Sequence, residues 1–543
     1  MEVNDERECN KAMLSYHSNI LTQNPDKLQE SKKGIETNDN DELNNNEKLL
    51  CDEEEDDVPV QYSSNRKSVF AQCMVAGAML MLNVGVGMPI GYSAILLPQL
   101  SEVNGTFHID ESMGSWIASI HSLASPLGSL LTGPMLDAIG RRSCLQLATI
   151  PLCIAWLLIG FASNISWILF GRFSAGFGVG MCSVAVQVFL GEVIDARVRA
   201  SVTTASTTAY CAGMLLVYIL GSALKWQTVA FCGTILPIIS LILLTTVSES
   251  PAWLVRKGKI NVAKKALMWL RGDDAKQVTT EMSILEARAK EDLSRMSLSM
   301  TFRERALETR AKVLHPGVLK PLLIINVFFL LQVCSGTFLV VSYGVDLMHH
   351  IAKGSINKYM AAVMTALIRV FFCFLSCFLM LRIGRRAIAL ISAIGSAVAS
   401  IILGVFLLLN IQDTGFEVYV IGICLIVYVS FNTIGLLALP GMMVGELLPH
   451  RARGVGGGCT MFLYNFSLFA TTKIFPMLKN MVGIGGIFLI FGASAVLETI
   501  FTWLIMPETK NRTLQEIEDY FKEGNILWIR RKNRKQRLSV SES

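Results

Sequence analysis

Runs of about 20 apolar residues recur through most of this chain, and each is long enough to cross a bilayer core of about 30 Å as one helix. Hydrophobic residues make up 52% of the sequence and charged residues only 17%, whereas an average soluble domain has about 25% charged residues. The cores of these runs lie near 70–97, 114–136, 144–162, 167–190, 202–222, 227–247, 321–345, 359–381, 387–409, 418–440, 456–475 and 483–505. The sequence therefore predicts an all-α membrane protein with twelve transmembrane helices.

Polar segments divide the apolar runs into two sets of six. Residues 1–66 are rich in Asn, Asp and Glu, have too little apolar surface to fold and are predicted to be disordered. The charged gap after the sixth run contains two stretches, 257–272 and 281–293, with the periodicity of amphipathic surface helices. The predicted parts are a cytoplasmic N-tail at 1–66, a six-helix bundle at 67–248, a cytoplasmic helical linker at 249–316, a second six-helix bundle at 317–506 and a cytoplasmic C-tail at 507–543.

The Lys and Arg residues between the runs lie on one side of the predicted membrane. That side carries the linker together with Arg141, Arg142, Arg197, Arg199, Arg382, Arg385, Arg386, Arg451, Arg453 and the C-terminal run Arg530–Arg537. The loops on the other side are short or acidic, as at Asp110 and Glu111, so both termini are expected in the cytoplasm. Asn104, in the sequence Asn-Gly-Thr, then lies in the first outer loop and is an expected glycosylation site.

Two short sequence patterns occur once in each set of six runs. "GPMLDAIGRR" (133–142) follows the second run, and "LRIGRR" (381–386) follows the eighth. "GEVIDARVRA" (191–200) ends the fourth run, and "GELLPHRARG" (445–454) ends the tenth with the same spacing from Glu to Arg. The two halves are therefore internal repeats, which are typical of transporters with a substrate site near mid-membrane, at the interface of the repeats.

The first of these patterns resembles the signature loop of the major facilitator superfamily, Gly-x-x-x-Asp-x-x-Gly-Arg-Arg. Three further pieces resemble its sugar porter branch, namely "GRFSAGFGVG" (171–180), "ESPAWL" (249–254) and "PETKNRTLQEIE" (507–518). The resemblance extends over about residues 68 to 520, and within the branch the chain is most similar to insect facilitated trehalose and hexose transporter-like proteins. It implies two six-helix bundles that rock around a central site and use no cofactor.

The resemblance also gives the charged loop ends a mechanical role, in which they hold the cytoplasmic side closed while the site faces out. The residues expected in this cytoplasmic gate are Asp137, Arg141, Arg142, Glu192, Arg199, Arg385, Arg386, Glu446 and Arg453. Asp137 is expected near a helix N-terminus, beside charge-assisted Glu–Arg pairs. Leu381 replaces the acid in the second half, so that copy is expected to keep only part of the network. In the alternative, the arginines merely anchor helix ends.

The expected substrate site departs from the sugar porter pattern. Sugars are neutral polyols, and their hydroxyls need side chains that donate and accept hydrogen bonds beside apolar surface. The positions that correspond to the family's sugar contacts are Thr207, Gln332, Val333, Phe338, Arg369, Pro440 and Gly441. Gln332 keeps the family's residue, whereas Phe338 stands for an Asn and Gly441 for a Trp. Asn465, at membrane depth, either bridges helices or faces the cavity.

Arg369 is the one charged residue inside the eighth run. Because an Arg within a span costs at least about 2.5 kcal/mol, it is expected to face the cavity or a partner. Three interpretations are open. Its guanidinium binds substrate hydroxyls, it binds an anionic substrate group such as a carboxylate or phosphate, or it is structural and bonds helix carbonyls.

Arg172 in the fourth run has a counterpart in proton-coupled sugar porters, where a carboxylate of the first span pairs with it. Here that position falls at Ser93, and the first run has no acid. Without a carboxylate that takes up and releases a proton at mid-membrane, symport has no evident carrier, so facilitated diffusion is expected. Glu498 in the twelfth run is interpreted as structural, with a role in coupling as the alternative.

Other functional classes find no support in the sequence. It contains no nucleophile triad, zinc-ligand cluster or dinucleotide fingerprint, so no catalytic residue, metal site or nucleic-acid partner is expected. The basic C-tail, which follows Trp528, is a candidate contact for anionic lipid of the bilayer. The predicted function is a facilitative uniporter of the plasma membrane for a hexose or trehalose. The alternatives are a carrier of another, possibly anionic, organic solute that uses Arg369, and a sugar sensor that moves little solute.

Overall fold

The computed structural model describes residues 66–101, 110–296, 316–343, 358–409, 416–448 and 453–510, together with residues 517, 520 and 521. The predicted N-tail and the Asn104 site lie outside these residues. The described helices are α1 (Arg66–Leu100), α2 (Glu111–Ile139), α3 (Arg141–Gly160), α4 (Ile165–Val193), α5 (Ala196–Ala223), α6 (Trp226–Thr246), α7 (Pro251–Arg256), α8 (Ile260–Arg271), α9 (Ala275–Met296), α10 (Pro316–Cys334), α11 (Leu339–Ser342), α12 (Lys358–Arg382), α13 (Arg385–Leu408), α14 (Phe416–Ile434), α15 (Leu439–Leu447) and α16 (Arg453–Leu504).

Twelve membrane spans follow from these helices. Ten described stretches are long and apolar enough to cross a membrane, judged by length and composition. The last of them, Gly456–Leu504, holds two spans, because helical geometry breaks at Gly483, whose φ is 66°. The remaining span is α2, a helix of 29 residues whose many serines and glycines make it less apolar than the others. Each half of the chain therefore contributes six spans, as the sequence predicts.

Close packing of α2 on α4 depends on two glycines of the fourth span. A Cβ at Gly176 would lie 2.0 Å from the carbonyl oxygen of His121, and one at Gly180 would lie 2.0 Å from that of Ser125. Ser125 and Ser129 donate hydroxyl hydrogen bonds back to the carbonyls of the same two glycines, each at 3.1 Å. The "GFGVG" segment (176–180) is thus a helix-packing surface.

Spans seven and ten are broken, although the sequence predicts continuous helices there. The seventh span stops at Cys334 and resumes at Leu339, and the tenth stops at Ile434 and resumes at Leu439. Gly336 in the first break has a φ of 85°, a backbone conformation that side chains rarely adopt. Irregular backbone at membrane depth is tolerated where protein surrounds it, and in transporters it commonly lines the binding site.

The linker helices mark one end of the molecule, which we call the linker face. Here α8 packs on the start of α1, where Ser68 and Gln72 both donate to the carbonyl of Leu270. The predicted amphipathic stretches lie in α8 and α9, whose apolar sides pack against α7 in a buried cluster. We call the other end, where α2 begins at Glu111, the opposite face.

The two halves contact each other in the middle and at the opposite face. In the middle, the Tyr218 hydroxyl of α5 donates to the Val341 carbonyl of α11. At the opposite face, Lys473 of α16 donates to the Ser115 hydroxyl of α2 at 2.7 Å. The ion pairs described at the linker face each stay within one half, lie within the linker or join the first half to the linker. The described polar contacts therefore join the halves away from the linker face.

Candidate functional site

Arg141 is the centre of a charged network at the linker face of the first half. Its guanidinium holds the Glu192 carboxylate at two points, with Nε 3.1 and 3.0 Å from the two oxygens and Nη2 2.9 Å from Oε1. Its Nη1 donates to the Leu136 carbonyl at 2.9 Å and to Asp137 at 3.2 Å. The Arg141 side chain is only 4% exposed, so water screens this pair weakly. The pair ties the start of α3 to the end of α4.

Glu249, and not Asp137, is the acid at the helix N-terminus of this network. Its carboxylate accepts the backbone N–H groups of Arg141 at 2.9 Å and Arg142 at 3.0 Å, which begin α3 and have no partner within the helix. Asp137 lies in the last turn of α2 with its side chain 73% exposed. The expectation that Asp137 lies at a helix N-terminus is therefore wrong, because α3 begins only after Gly140, whose φ of 104° separates the two helices. Its contact with Arg141 keeps it in the network, and its role in the gate stays a prediction.

The linker supplies the other partners of Glu192. Arg256 of α7 lies 3.1 Å from Glu192 Oε1, and the Ser250 hydroxyl donates to Glu192 Oε2. Arg199, which is expected in the same gate as Glu192, instead donates to the Ile194 carbonyl at 3.1 Å. The first network thus joins α3, α4 and the linker through one carboxylate.

The second half repeats this arrangement with looser geometry. Arg385 lies 3.4 Å from Glu446, and Glu508 accepts the backbone N–H groups of Arg385 at 2.9 Å and Arg386 at 3.2 Å. The Thr509 hydroxyl donates to Glu446, as that of Ser250 does to the corresponding glutamate. Because no acid stands at the position of Asp137, this copy keeps part of the network.

The two remaining arginines of the repeated loops also have matching partners. Arg142 donates to the Thr245 carbonyl at 3.0 Å at the end of α6, and Arg386 donates to the Trp503 carbonyl at the end of α16. Each therefore holds the last span of its own half. The side chain of Arg453 lies outside the described part of the structure.

Arg172 has neutral partners in the membrane interior. Its side chain is 1% exposed and bonds the Ser93 hydroxyl, the Pro89 carbonyl and, at 3.2 Å, the Ile117 carbonyl. Ser93, which stands where the resemblance leads one to expect a proton-carrying carboxylate, is thus a neutral hydrogen-bond partner of Arg172. The guanidinium charge is stabilised by dipoles of α1 and α2, with no ion pair among the described residues.

Gln332 and Asn432 flank the two helix breaks and form one polar cluster. The Ser335 hydroxyl donates to the backbone carbonyl of Gln332 at 2.7 Å and accepts from Asn432 Nδ2 at 3.4 Å. Both amides are buried, and within the described structure Gln332 Oε1 and Asn432 Oδ1 have no hydrogen-bond partner. Buried acceptors without donors are costly, so these two oxygens mark a place for a polar ligand.

Arg369 of α12 contacts the first of these breaks. Its Nη2 donates to the Thr337 carbonyl at 3.2 Å, whereas its buried Nη1 has no partner among the described residues. The carbonyl contact fits the structural interpretation of this residue, and the free donor leaves both binding interpretations open.

The remaining site residues that the sequence predicts lie on α5, in the first break, and on α15 and α16. Thr207 is half-buried on α5, and Phe338 is buried with its ring 6.0 Å from that of Tyr464. Asn465 donates to the carbonyl of Met461, one turn back on α16, at 2.8 Å. Pro440 is buried in α15. Beside it Gly441 is exposed, and no atom lies within 4 Å of where a Cβ would stand.

Glu498 is fully buried on the last span. Neither of its oxygens has a hydrogen-bond partner in the described structure. An ionised carboxylate is very costly to bury without a partner. Within the described residues no group of three or more His, Cys, Asp or Glu is placed to hold a metal ion.

Sequence reasoning missed the roles of Glu249, Glu508, Asn432 and Lys473. A signal existed for the first two, because "ESPAWL" and "PETKNRTLQEIE" both carry a Glu followed by a hydroxyl residue just after the last span of a half. Asn432 gave no signal, because its importance depends on the break that follows it.

Comparison with known proteins agrees with this architecture. Residues 63–521 match the family described as sugar (and other) transporter. The chain is 30% identical over 454 residues to the "Facilitated trehalose transporter Tret1-2 homolog" of Drosophila simulans, which covers 83% of this chain and 90% of that protein. It is 30% identical over 458 residues to the "Facilitated trehalose transporter Tret1" of Culex quinquefasciatus, covering 83% of this chain and 86% of that protein.

A solved structure shares the fold. The major facilitator superfamily proton:xylose symporter XylE, bound to 6-bromo-6-deoxy-D-glucose, has a TM-score of 0.68 and 20% identity, covering 84% of this chain and 100% of that one. The prediction of a twelve-helix major facilitator fold in two bundles is confirmed.

Proposed function

This chain belongs to the sugar (and other) transporter family, whose members here are membrane carriers and not enzymes, and on that premise we propose that it is a facilitative sugar uniporter. The substrate is a hexose or trehalose, and transport follows alternating access of a site between the two halves. The protein lies in the plasma membrane with both termini in the cytoplasm, as the distribution of Lys and Arg favours. The linker face is then the cytoplasmic side.

The observation that carries the proposal is the cluster of unpartnered polar atoms at the helix breaks. Gln332 and Asn432 offer acceptors, and Arg369 offers a donor, all buried and close to the interface of the halves. A sugar hydroxyl both donates and accepts, so it satisfies either kind of group. Phe338 and Tyr464 supply the aromatic surface that such a ring requires nearby.

Uniport, as opposed to proton symport, is supported by the environment of Arg172. Its partners are a hydroxyl and two carbonyls, none of which changes charge near neutral pH. Among the described residues of the spans, Glu498 is an acid candidate for a proton carrier, and it is 0% exposed. We therefore expect equilibration of the sugar without accumulation.

Trehalose is included because similar proteins carry it in their names, and because Gly441 leaves space. Gly441 is exposed and a Cβ there would have no atom within 4 Å, so this position, one of the expected sugar contacts, is open. A disaccharide needs more room than a hexose. The space supports a larger substrate without excluding a smaller one.

Uptake of labelled trehalose, glucose and fructose in oocytes that express the full chain tests this function. Saturable uptake that stops at the external concentration and ignores a protonophore is expected. Concentrative uptake that collapses with the protonophore would contradict uniport. No uptake of any of the three, with surface protein quantified, would contradict the sugar assignment.

A second candidate is a carrier for an anionic solute. It is favoured by the unpartnered Nη1 of Arg369 and by the lack of an ion pair for this guanidinium within the described structure. Arg369→Asn separates the two, because Asn retains hydrogen bonds to hydroxyls but not the charge. Abolished uptake in Arg369→Asn and partial uptake in Arg369→Lys would favour the anion. The reverse order would favour the neutral sugar, and normal uptake by both would exclude either binding role.

A further inference from the structure

Lys473 is a cation within the eleventh span that has no acidic partner in the described structure. Its Nζ lies 4.0 Å from the centroid of the Trp116 ring and donates to the Ser115 hydroxyl at 2.7 Å. Both partners belong to α2 of the first half, whereas Lys473 belongs to α16 of the second. A charge inside a span is costly unless it faces water or a partner, so its place requires an explanation.

The surroundings of Lys473 form a joint between the halves at the opposite face. The Trp116 ring lies between Lys473 and Phe469, whose ring centroid is 6.3 Å away. Nearer the end of the helix, Asn480 donates to both carboxylate oxygens of Glu111 at 3.1 and 2.9 Å. The joint thus combines a cation–π contact, aromatic packing and hydrogen bonds to a carboxylate.

We propose that Lys473 and Trp116 form the latch that keeps the opposite face closed, so that each transport cycle must separate them. When the face opens, the ammonium exchanges the ring for water in the vestibule. The contact therefore favours the closed state by the difference in free energy of the ammonium group between the ring and water. A cation–π contact of this kind changes an equilibrium constant by about three- to tenfold. This inference rests on alternating access but on no particular substrate.

Two variants test the latch, and two others serve as controls. Lys473→Gln keeps a donor for Ser115 but removes the charge, and Trp116→Leu removes the ring while leaving Lys473. Lys473→Arg is the matched control, because a guanidinium also stacks on an aromatic ring. Lys225→Gln is the control for loss of a lysine at the same face, since Lys225 is exposed between α5 and α6.

The measurement uses a reporter cysteine at Ala118, three residues deeper in α2 than Ser115. Ala118 is 4% exposed and packs in a cluster made mainly of second-half residues, so a thiol there reacts only when the halves separate. The full chain with Ala118→Cys is purified in lipid nanodiscs. The rate of its labelling by a water-soluble maleimide is corrected by the same chain without the reporter.

Labelling about three- to tenfold faster in both Lys473→Gln and Trp116→Leu is expected, with no further gain in the double variant. Lys473→Arg and Lys225→Gln are expected to label within about twofold of the parent, because neither removes a cation from the ring. Equal rates in Lys473→Gln, Trp116→Leu and the parent would overturn the latch. Because labelling needs no substrate, failure of the sugar assignment would leave this result intact.

Discussion

Arg172 shows how one residue position decides what the membrane interior can do. The side chain is buried at 1% exposure and is stabilised by a hydroxyl and two carbonyls, where a carboxylate would have created a titratable pair. Partial charges hold the guanidinium without offering a site for a proton. Under the proposed uniport, residue 93 is the position at which a carrier that equilibrates its substrate differs from one that couples to protons.

Ser93→Asp is expected to give uptake a dependence on pH and on a protonophore that the parent lacks. A carboxylate beside Arg172 at mid-membrane can bind and release a proton, and its charge alters the balance between the two faces. Uptake is measured at mildly acidic and neutral external pH, with surface protein quantified. Ser93→Asn is the control, because it has nearly the same shape and cannot ionise. Identical pH profiles for the two variants would contradict this role of residue 93.

At the scale of elements, the charged loops join helix ends in a fixed order. In each half, one Glu after the last span accepts the first backbone N–H groups of the third span. One Glu at the end of the fourth span binds the first Arg of the repeated loop. The first half is tighter, with an Arg–Glu distance of 2.9 Å against 3.4 Å. We infer that movement at the linker face strains the first network more than the second.

Glu192→Gln is expected to slow exchange of the transported sugar about tenfold and to lower the melting temperature. The reason is that the substitution weakens charged hydrogen bonds worth about 1.5–3 kcal/mol. Asp137→Asn is expected to change either quantity less than about twofold, since exposed pairs contribute little. The Asp137 side chain is 73% exposed and that of Glu192 only 19%. Exchange is measured in oocytes, and unfolding is followed on the purified protein. A larger effect at Asp137 would show that Asp137, and not Glu192, is the main acid of the gate.

At the scale of the whole molecule, α11 of the second half contacts the first half, and two longer helix pairs also join the halves within the described residues. One is α2 with α16 at the opposite face, and the other is α5 with α12 in the middle. In the second pair, Cys211 of the first half contacts Cys373 of the other, and Thr208 lies 3.5 Å from the Cys377 sulfur. Rocking of one half against the other must change the spacing of these groups.

A short bifunctional thiol reagent is expected to bridge Cys211 and Cys373 and to stop sugar exchange, because the bridge fixes α5 to α12. Cys211→Ser and Cys373→Ser should each remove this inhibition. Cys377→Ser is the control, since Cys377 contacts Thr208 and is only partly buried. Exchange and cross-linking are measured on the same samples. Bridged protein that still exchanges sugar at the parent rate would contradict a rocking movement at this interface.

The sequence by itself determined the fold class, because twelve apolar runs leave a polar backbone few ways to satisfy its hydrogen bonds in lipid. It also identified Arg172 and its missing carboxylate, Gln332, Arg369 and the repeated Arg–Glu loops, since charged and polar residues stand out against an apolar background. Tertiary structure alone decided which groups meet. The helix breaks that orient Asn432, the capping role of Glu249 and the contact of Lys473 with Trp116 join residues far apart in the chain. Such contacts depend on how helices pack, and local patterns of hydropathy and charge do not state which residues meet, even where, as at Glu249, a repeated motif marks the position.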